Sequence, residues 1–249
     1  SSHFRLLFAL KTAFAKRRFL LHWSNGQDDI ARESFMKIDT IVLGDLEANC
    51  YCVRTDEKAS TCLLIDPGLN PEPLVHFLRR NNLTPEVVVL THGHADHIGG
   101  VETVRQHWPA VGVAISDEDA AMLTDPAKNL SVLAEVMVQA RPAEIRFNSQ
   151  RYFEAAGLRF EIIHTPGHTP GGICLYHSDE EVLFCGDTLF AGSVGRWDFP
   201  GGNHDLLIDR IKHKLLILPD PTRVYPGHGP ATTIRTEKRH NPFLLESAH

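Results

Sequence analysis

The stretch Thr91–Gly100 reads THGHADHIGG and places three histidines and an aspartate within the six residues His92–His97. Packing offers no reason for such a cluster, because polar and charged groups are costly to bury without partners. Imidazole suits zinc, iron or manganese, and one hard carboxylate among imidazoles is common where a metal must activate water. The spacing lets His92 and His94 point to one side of an extended turn. Asp96 and His97 fall at the start of the next helix and can face elsewhere. Two adjacent binding positions fit this loop better than one crowded position.

One loop cannot complete such a site, so partners are expected elsewhere in the chain. The cluster follows a buried-looking strand, Glu86–Leu90, and loops leaving strand ends are where α/β proteins place chemistry. Three further turns have the same setting. His168 lies in TPGHTPGG (Thr165–Gly172), directly after a strand ending at Ile163. Asp187 lies in FCGDTLF (Phe184–Phe190), and His228 in YPGHGP (Tyr225–Pro230) after Val224. The flanking Gly and Pro allow tight turns that aim a ligand inward. A lone His beside Gly is ordinarily a loop residue, and a lone Asp after a strand is ordinarily a turn or cap. Their conjunction with the first cluster makes them candidates. Five His and two Asp are what two metals need if one carboxylate bridges them and water fills the open positions; ions so paired lie about 3.5–4 Å apart. The remaining ten of the 15 histidines read as surface or supporting residues, with His164 and His204 expected nearest the site.

Outward from these turns, the chain alternates strands and helices. Strands are expected at Ile38–Leu43, Asn49–Arg54, Thr61–Ile65, Glu86–Leu90, Val111–Ser116, Glu144–Phe147, Leu158–Ile163, Ile173–Tyr176 and Val182–Cys185. Helices are expected at Glu72–Asn81, Gly99–Trp108, Asp117–Leu123, Asp205–Leu216 and Thr232–Arg239. Residues 124–143 are the least legible, with helix around Leu130–Val138. Two similar halves of mixed strands and helices predict two packed sheets with helices outside, in one domain. Residues 1–35 differ: six Lys/Arg face three acids in a loosely amphipathic run. They read as a basic N-terminal extension, either non-native, docked, or an organelle-targeting peptide. Residues 36–249 carry a net charge of −9, which would repel phosphate backbones and argues against nucleic acid. No apolar run approaches the roughly 20 residues of a membrane helix. Five cysteines without a C-x-x-C pair favour free thiols, simple burial of Cys50 and Cys52, and a reducing, cytoplasmic compartment.

From Met36 to the C-terminus the chain is similar to the metallo-β-lactamase fold superfamily, whose defining set is H-x-H-x-D-H followed by His, Asp and His in that order. The resemblance implies an α+β fold, a four-layer αββα sandwich with the site along one edge of both sheets, over residues 36–249. It implies that His92, His94 and His168 bind a first metal, that Asp96, His97 and His228 bind a second, and that Asp187 bridges them. Two divalent ions are implied, zinc first, with iron or manganese as alternatives. TPGHTPGG, GDTLF and the tail HNPFL (His240–Leu244) resemble the small single-domain, glyoxalase II-like members. The activity implied is hydrolysis of a glutathione-derived thioester such as S-lactoylglutathione by a metal-bridging hydroxide, with Asp96 and Asp187 as the catalytic carboxylates. The chain departs from full-length glyoxalase II in ending soon after His228, without the helical domain that supplies basic residues for glutathione. Arg196, in GRWDFPGG (Gly195–Gly202), is a candidate for substrate binding or for a buried structural ion pair with Asp198, and the structural role is the one expected. The same segment resembles persulfide dioxygenases, which use one iron, and a hydrolase of another ester or lactone fits the same ligands.

Overall fold

The computed structural model describes residues 36–133 and 135–245. The basic extension expected over residues 1–35 lies outside them, with His3 and His22, as does His249.

Alternate side chains of a strand point to opposite faces, and here both faces of each sheet are apolar. The first sheet has the order β1 (Lys37–Leu43), β2 (Ala48–Arg54), β3 (Thr61–Ile65), β4 (Thr84–Val89), β5 (Gly112–Ser116), β6 (Ile145–Phe147). Its first three strands run antiparallel and the rest are parallel. Strand β2 is buried at every position. It sends Cys50 and Cys52 outward with Leu64, Val88 and Ile115, and Tyr51 and Val53 inward with Ile65, Val89 and Ala114.

The second sheet contains β7 (Tyr152–Ala155), β8 (Leu158–His164), β9 (Ile173–His177) and β10 (Val182–Gly186). After a hairpin, β11 (Leu189–Phe190) and β12 (Ser193–Val194), it continues with β13 (Arg223–Pro226) and β14 (Thr232–Thr233). Its order is β14-β13-β10-β9-β8-β7. Phe160, Ile162, Leu175 and Phe184 face the first sheet, while Cys174, Leu183 and Cys185 face away.

Helices close both outer faces. On the first sheet lie α1 (Glu72–Arg80), the single turn α2 (Ala95–Ile98) and α3 (Val101–His107), burying Leu74, Leu78, Ile98, Val101 and Val104. On the second lie α4 (His204–Arg210) and α5 (Ile234–His240), burying Leu207 and Ile234. This is the expected four-layer αββα sandwich. Each fully buried Leu, Val, Ile or Phe contributes about 1.5–3 kcal/mol relative to exposure. All five cysteines are free and buried, Cys50, Cys52 and Cys62 under the first helical layer and Cys174 and Cys185 under the second. No helix of the described residues is long and apolar enough to cross a membrane.

Several local expectations are corrected. The helix read over Gly99–Trp108 is present as α3, but it starts at Val101 and the separate turn α2 precedes it; Gly100 turns its N–H to Pro67 O (2.7 Å) and approaches the backbone after β3 too closely for a side chain. Asp117–Leu123 yields only a 3₁₀ turn at Ala120–Leu123. Around Leu130–Val138 the described residues form turns rather than helix. There the Asn129 side chain donates to Met122 O and Val138 O, and the Ser131 hydroxyl accepts from the Val138 N–H. Side chains that supply backbone partners compete with a helix. The helix read over Asp205–Leu216 ends its α portion at Arg210 and continues as a π-helical turn, Ile211–Leu215. The strand Tyr152–Ala155 was not expected.

Candidate metal centre

All seven residues singled out from the sequence come together at one edge of the two sheets. His92 and His94 lie in the loop after β4, and Asp96 and His97 on α2. His168 follows β8, Asp187 follows β10, and His228 follows β13. His92, His94 and His168 place one ligand atom each within 4.8 Å of one another, and so do Asp96, His97 and His228. The Asp187 carboxylate stands between the two triads. Its oxygens lie 3.6 Å from His168 Nε2, 3.4 Å from His97 Nε2 and 3.7 Å from His228 Nε2.

Hydrogen bonds at the far side of each ring decide which nitrogen faces inward. His168 Nδ1 donates to Arg196 O (2.7 Å), His228 Nδ1 to Leu46 O (2.9 Å) and His97 Nδ1 to Asp66 Oδ2 (3.0 Å). Each ring so held presents Nε2 to the centre, the arrangement usual for metal-ligating histidines. The inward nitrogens crowd one another: His168 Nε2 lies 2.9 Å from His94 Nδ1, and His97 Nε2 lies 3.2 Å from His228 Nε2. His92 Nε2 and Asp187 Oδ1 are buried with no hydrogen-bond partner. Unpaired buried acceptors converging on two points are unfavourable unless a cation satisfies them. The donor set therefore fits divalent metal ions, two imidazole-rich and carboxylate-containing positions side by side.

The two triads differ electrostatically. Burial keeps His92 neutral and drives His94 down to about 3, helped by neighbouring imidazoles. Burial also opposes protonation of His97 and His228, but there the carboxylates prevail: Asp96, Asp187 and Asp66 raise His97, and Asp96 and Asp187 raise His228. Burial pushes the Asp187 carboxyl up; His97, His168 and His92 outweigh it and hold the group well below the usual carboxylate range. Asp96 is likewise lowered, against burial, by His97 and His228.

Four supporting residues escaped the sequence reading. Asp66, at the end of β3, accepts from Thr91 N–H (2.8 Å), the Thr91 hydroxyl (2.6 Å) and His97. Both its oxygens are engaged, so it orients His97 rather than joining the ligands. Its signal was the one used for Asp187, an acid directly after an apolar strand. Asp119 accepts from Gly93 N–H, Gly171 N–H and the Thr169 hydroxyl. Asn49, in β2, donates through Nδ2 to Pro226 O (3.0 Å) and Gly229 O (2.9 Å), either side of His228, and its own N–H donates to Gly227 O (2.7 Å). Tyr51 adds a bond from its hydroxyl to Pro226 O (2.6 Å). These last two had no signal along the chain, since they act across the sheets.

Other expectations are corrected. His164 lines a separate recess with Arg210 and Lys214, and His204 packs on Trp197 and pairs with Asp205. Neither lines the metal cleft. The Arg196–Asp198 pair exists, with N···O distances of 2.9 and 2.8 Å, but both side chains are about 60% exposed rather than buried. Arg196 also lies over the Phe199 ring, 3.9 Å from its centroid. The cleft over the triads encloses about 660 Å³, and beyond the candidate ligands Leu46, Leu130, Leu133, Phe190, Phe199 and Arg196 line it.

The sequence model of the Metallo-beta-lactamase superfamily matches residues 43–228. Two bacterial proteins are each 36% identical over 210 residues, covering 84% of this chain and 98% of their own length: "Probable metallo-hydrolase YqgX" of Bacillus subtilis and "Hydroxyacylglutathione hydrolase GloC" of Haemophilus influenzae. A solved structure, the BLEG-1 B3 metallo-beta-lactamase, is 39% identical with a TM-score of 0.81, covering 84% of this chain and all of the other.

Proposed function

The chain belongs to the metallo-β-lactamase superfamily, and on that premise we propose that it hydrolyses thioesters, S-acylglutathiones such as S-lactoylglutathione first among them. Family and donor set together make it a metal-dependent hydrolase. The observation that carries the reading is the Asp187 carboxylate between two complete triads, which suits a pair of ions better than one. The thioester rests on the likeness to the hydroxyacylglutathione hydrolase.

In this reading His92, His94 and His168 would hold one ion and Asp96, His97 and His228 the other, with the Asp187 carboxylate standing between the two triads. Two divalent ions there supply Lewis acidity, which makes water ionise near neutral pH and polarises an acyl carbonyl. The residues do the rest. Burial keeps His92 and His94 neutral, the protonation state in which imidazole ligates. Asp66 fixes the His97 ring, and the carbonyls of Arg196 and Leu46 fix His168 and His228. Asp96 turns Oδ2 toward His228 and His97, leaving Oδ1 to orient the attacking water and take its proton. Water adds to the acyl carbon, the C–S bond breaks, and the departing thiolate recovers the proton. Leu46, Leu130, Leu133, Phe190 and Phe199 exclude bulk water from the body of the substrate. Arg196, exposed at the mouth, meets a negatively charged group of the thiol carrier.

The test uses one preparation, with metal counted and three substrates offered: S-lactoylglutathione, a cephalosporin and glutathione persulfide. The expected result is thioester cleavage that disappears on chelation and returns with zinc, manganese or iron. A protein with two ions per chain that opens the β-lactam, or consumes oxygen with the persulfide, while leaving the thioester intact would refute the substrate. One ion per chain at saturating metal would refute the paired site.

A further inference from the structure

We propose that Asp119 is a positioning residue that assembles the first metal position and has no part in the second. The inference rests on the two-metal reading above. Asp119 is fully buried, immediately before the turn Ala120–Leu123, and lies outside both triads. Its Oδ2 accepts from Gly93 N–H (3.2 Å) and from the Thr169 hydroxyl (2.7 Å), and its Oδ1 accepts from Gly171 N–H (2.7 Å). Gly93 sits between His92 and His94, and Thr169 directly follows His168. One carboxylate thus ties together the two loops that carry all three residues of the first triad.

No such tie reaches Asp96, His97 or His228. His97 is held by Asp66 and His228 by Leu46 O. Asp66 also accepts from Thr91, whose hydroxyl lies 3.1 Å from His92 Nδ1, so Asp66 touches both triads, whereas the hydrogen bonds of Asp119 reach only the loops of the first.

The fit at Asp119 is close. A Cβ on Gly171 would lie 2.7 Å from Asp119 Oδ1 and Cγ, so the loop can accept only glycine there. The donors to this buried carboxylate are all uncharged. A buried anion satisfied only by neutral donors is expensive, and a cation held by His92, His94 and His168 offsets that cost. Asp119 then serves the first position twice, by geometry through its hydrogen bonds and by charge.

Supporting partners of metal ligands typically contribute about 10–100-fold in affinity. The experiment counts metal per chain in native protein, Asp119→Asn, His228→Ala and the double variant, equilibrated against one chelator concentration chosen to leave native protein with two ions. Two, one, one and none are expected in that order. The metal-free Asp119→Asn protein should keep native circular dichroism and melt cooperatively. The double variant separates the two positions: retention of one ion there places the Asp119 effect on the second position and overturns the proposal. So does an Asp119→Asn protein with two ions, or one that loses both together, the mark of a merely structural residue. Native protein that never exceeds one ion fails the two-metal reading instead, and the proposal falls with it. If Asp119→Asn does not fold, Thr169→Val removes only the hydroxyl donor; a single ion weakened about tenfold in chelator competition supports the assignment, and unchanged affinity for both ions refutes it.

Discussion

Replacing Asn49 by alanine tests how the second triad is held, without touching any of its members. Asn49 is almost wholly buried, and its side-chain amide donates to the carbonyls of Pro226 and Gly229. Alanine deletes both bonds. Pro226 O keeps the Tyr51 hydroxyl at 2.6 Å, so that carbonyl remains satisfied and the loss is one ordinary bond, about 1 kcal/mol. Gly229 O loses its side-chain donor, adding the bond and part of a desolvation penalty, about 1–2 kcal/mol. The sum is about 2–3 kcal/mol, and for a chain of this size each kcal/mol lowers Tm by about 2–4 °C. Thermal unfolding in chelator should therefore drop by about 4–12 °C, scaled from those two contributions. Tyr51→Phe is the internal control: it removes one bond to a carbonyl that keeps Asn49, so about 1 kcal/mol is expected. In metal-loaded protein, a freed YPGHGP turn should weaken one ion by about 10–100-fold. An Asn49→Ala protein melting within about 1 °C of native, or above Tyr51→Phe, would refute this account of the turn.

Three further outcomes are expected. Asp187→Asn keeps the shape between the triads but removes the charge; it should lower thioester turnover by more than about a hundredfold, and near-native turnover with two ions bound would contradict its bridging role. Gly227→Ala places a methyl against Asp187 Oδ1 and 2.7 Å from His97 Cε1; a folded protein with fewer than two ions is expected on metal analysis, and native stoichiometry would show that the turn yields. Asp198→Asn frees the Arg196 guanidinium at the cleft mouth. KM for an anionic thioester should fall about threefold at low ionic strength and return toward native in high salt, with kcat unchanged; an unaltered KM would place Arg196 off the substrate path.

The parts of this molecule that the sequence reveals are those where one residue type answers one physical demand. THGHADHIGG needs no neighbours to be read as metal-seeking, and Asp187 and His228 acquire meaning because each closes an apolar strand beside a glycine. The central strands of both sheets are legible because buried faces on both sides leave nearly continuous apolar runs, whereas the largely exposed edge strand β7 carries no such run. Legibility fails where side chains replace backbone partners. Between Met122 and Val138, Asn129 and Ser131 supply the hydrogen bonds a helix would have supplied, and apolar spacing gives no hint of it. It fails again for contacts across large sequence separations, such as Asn49 with Gly229. The Arg196–Asp198 pair was visible in the sequence, but its exposure was not, because nothing along the chain shows that the segment rims an open cleft.

The placement of the five thiols gives the fold its own internal clock. Burial pushes Cys50 and Cys185 well above the ordinary thiol range and Cys174 up to about 11, so an alkylating reagent meets almost no thiolate while the layers stay closed. Three of the five report on one helical face and two on the other, and none lies between the sheets. Labelling rates read cysteine by cysteine thus register the opening of each face separately. A common rate for all five means the sandwich opens as one cooperative body, and two rates mean that one helical layer lifts away while the other stays seated.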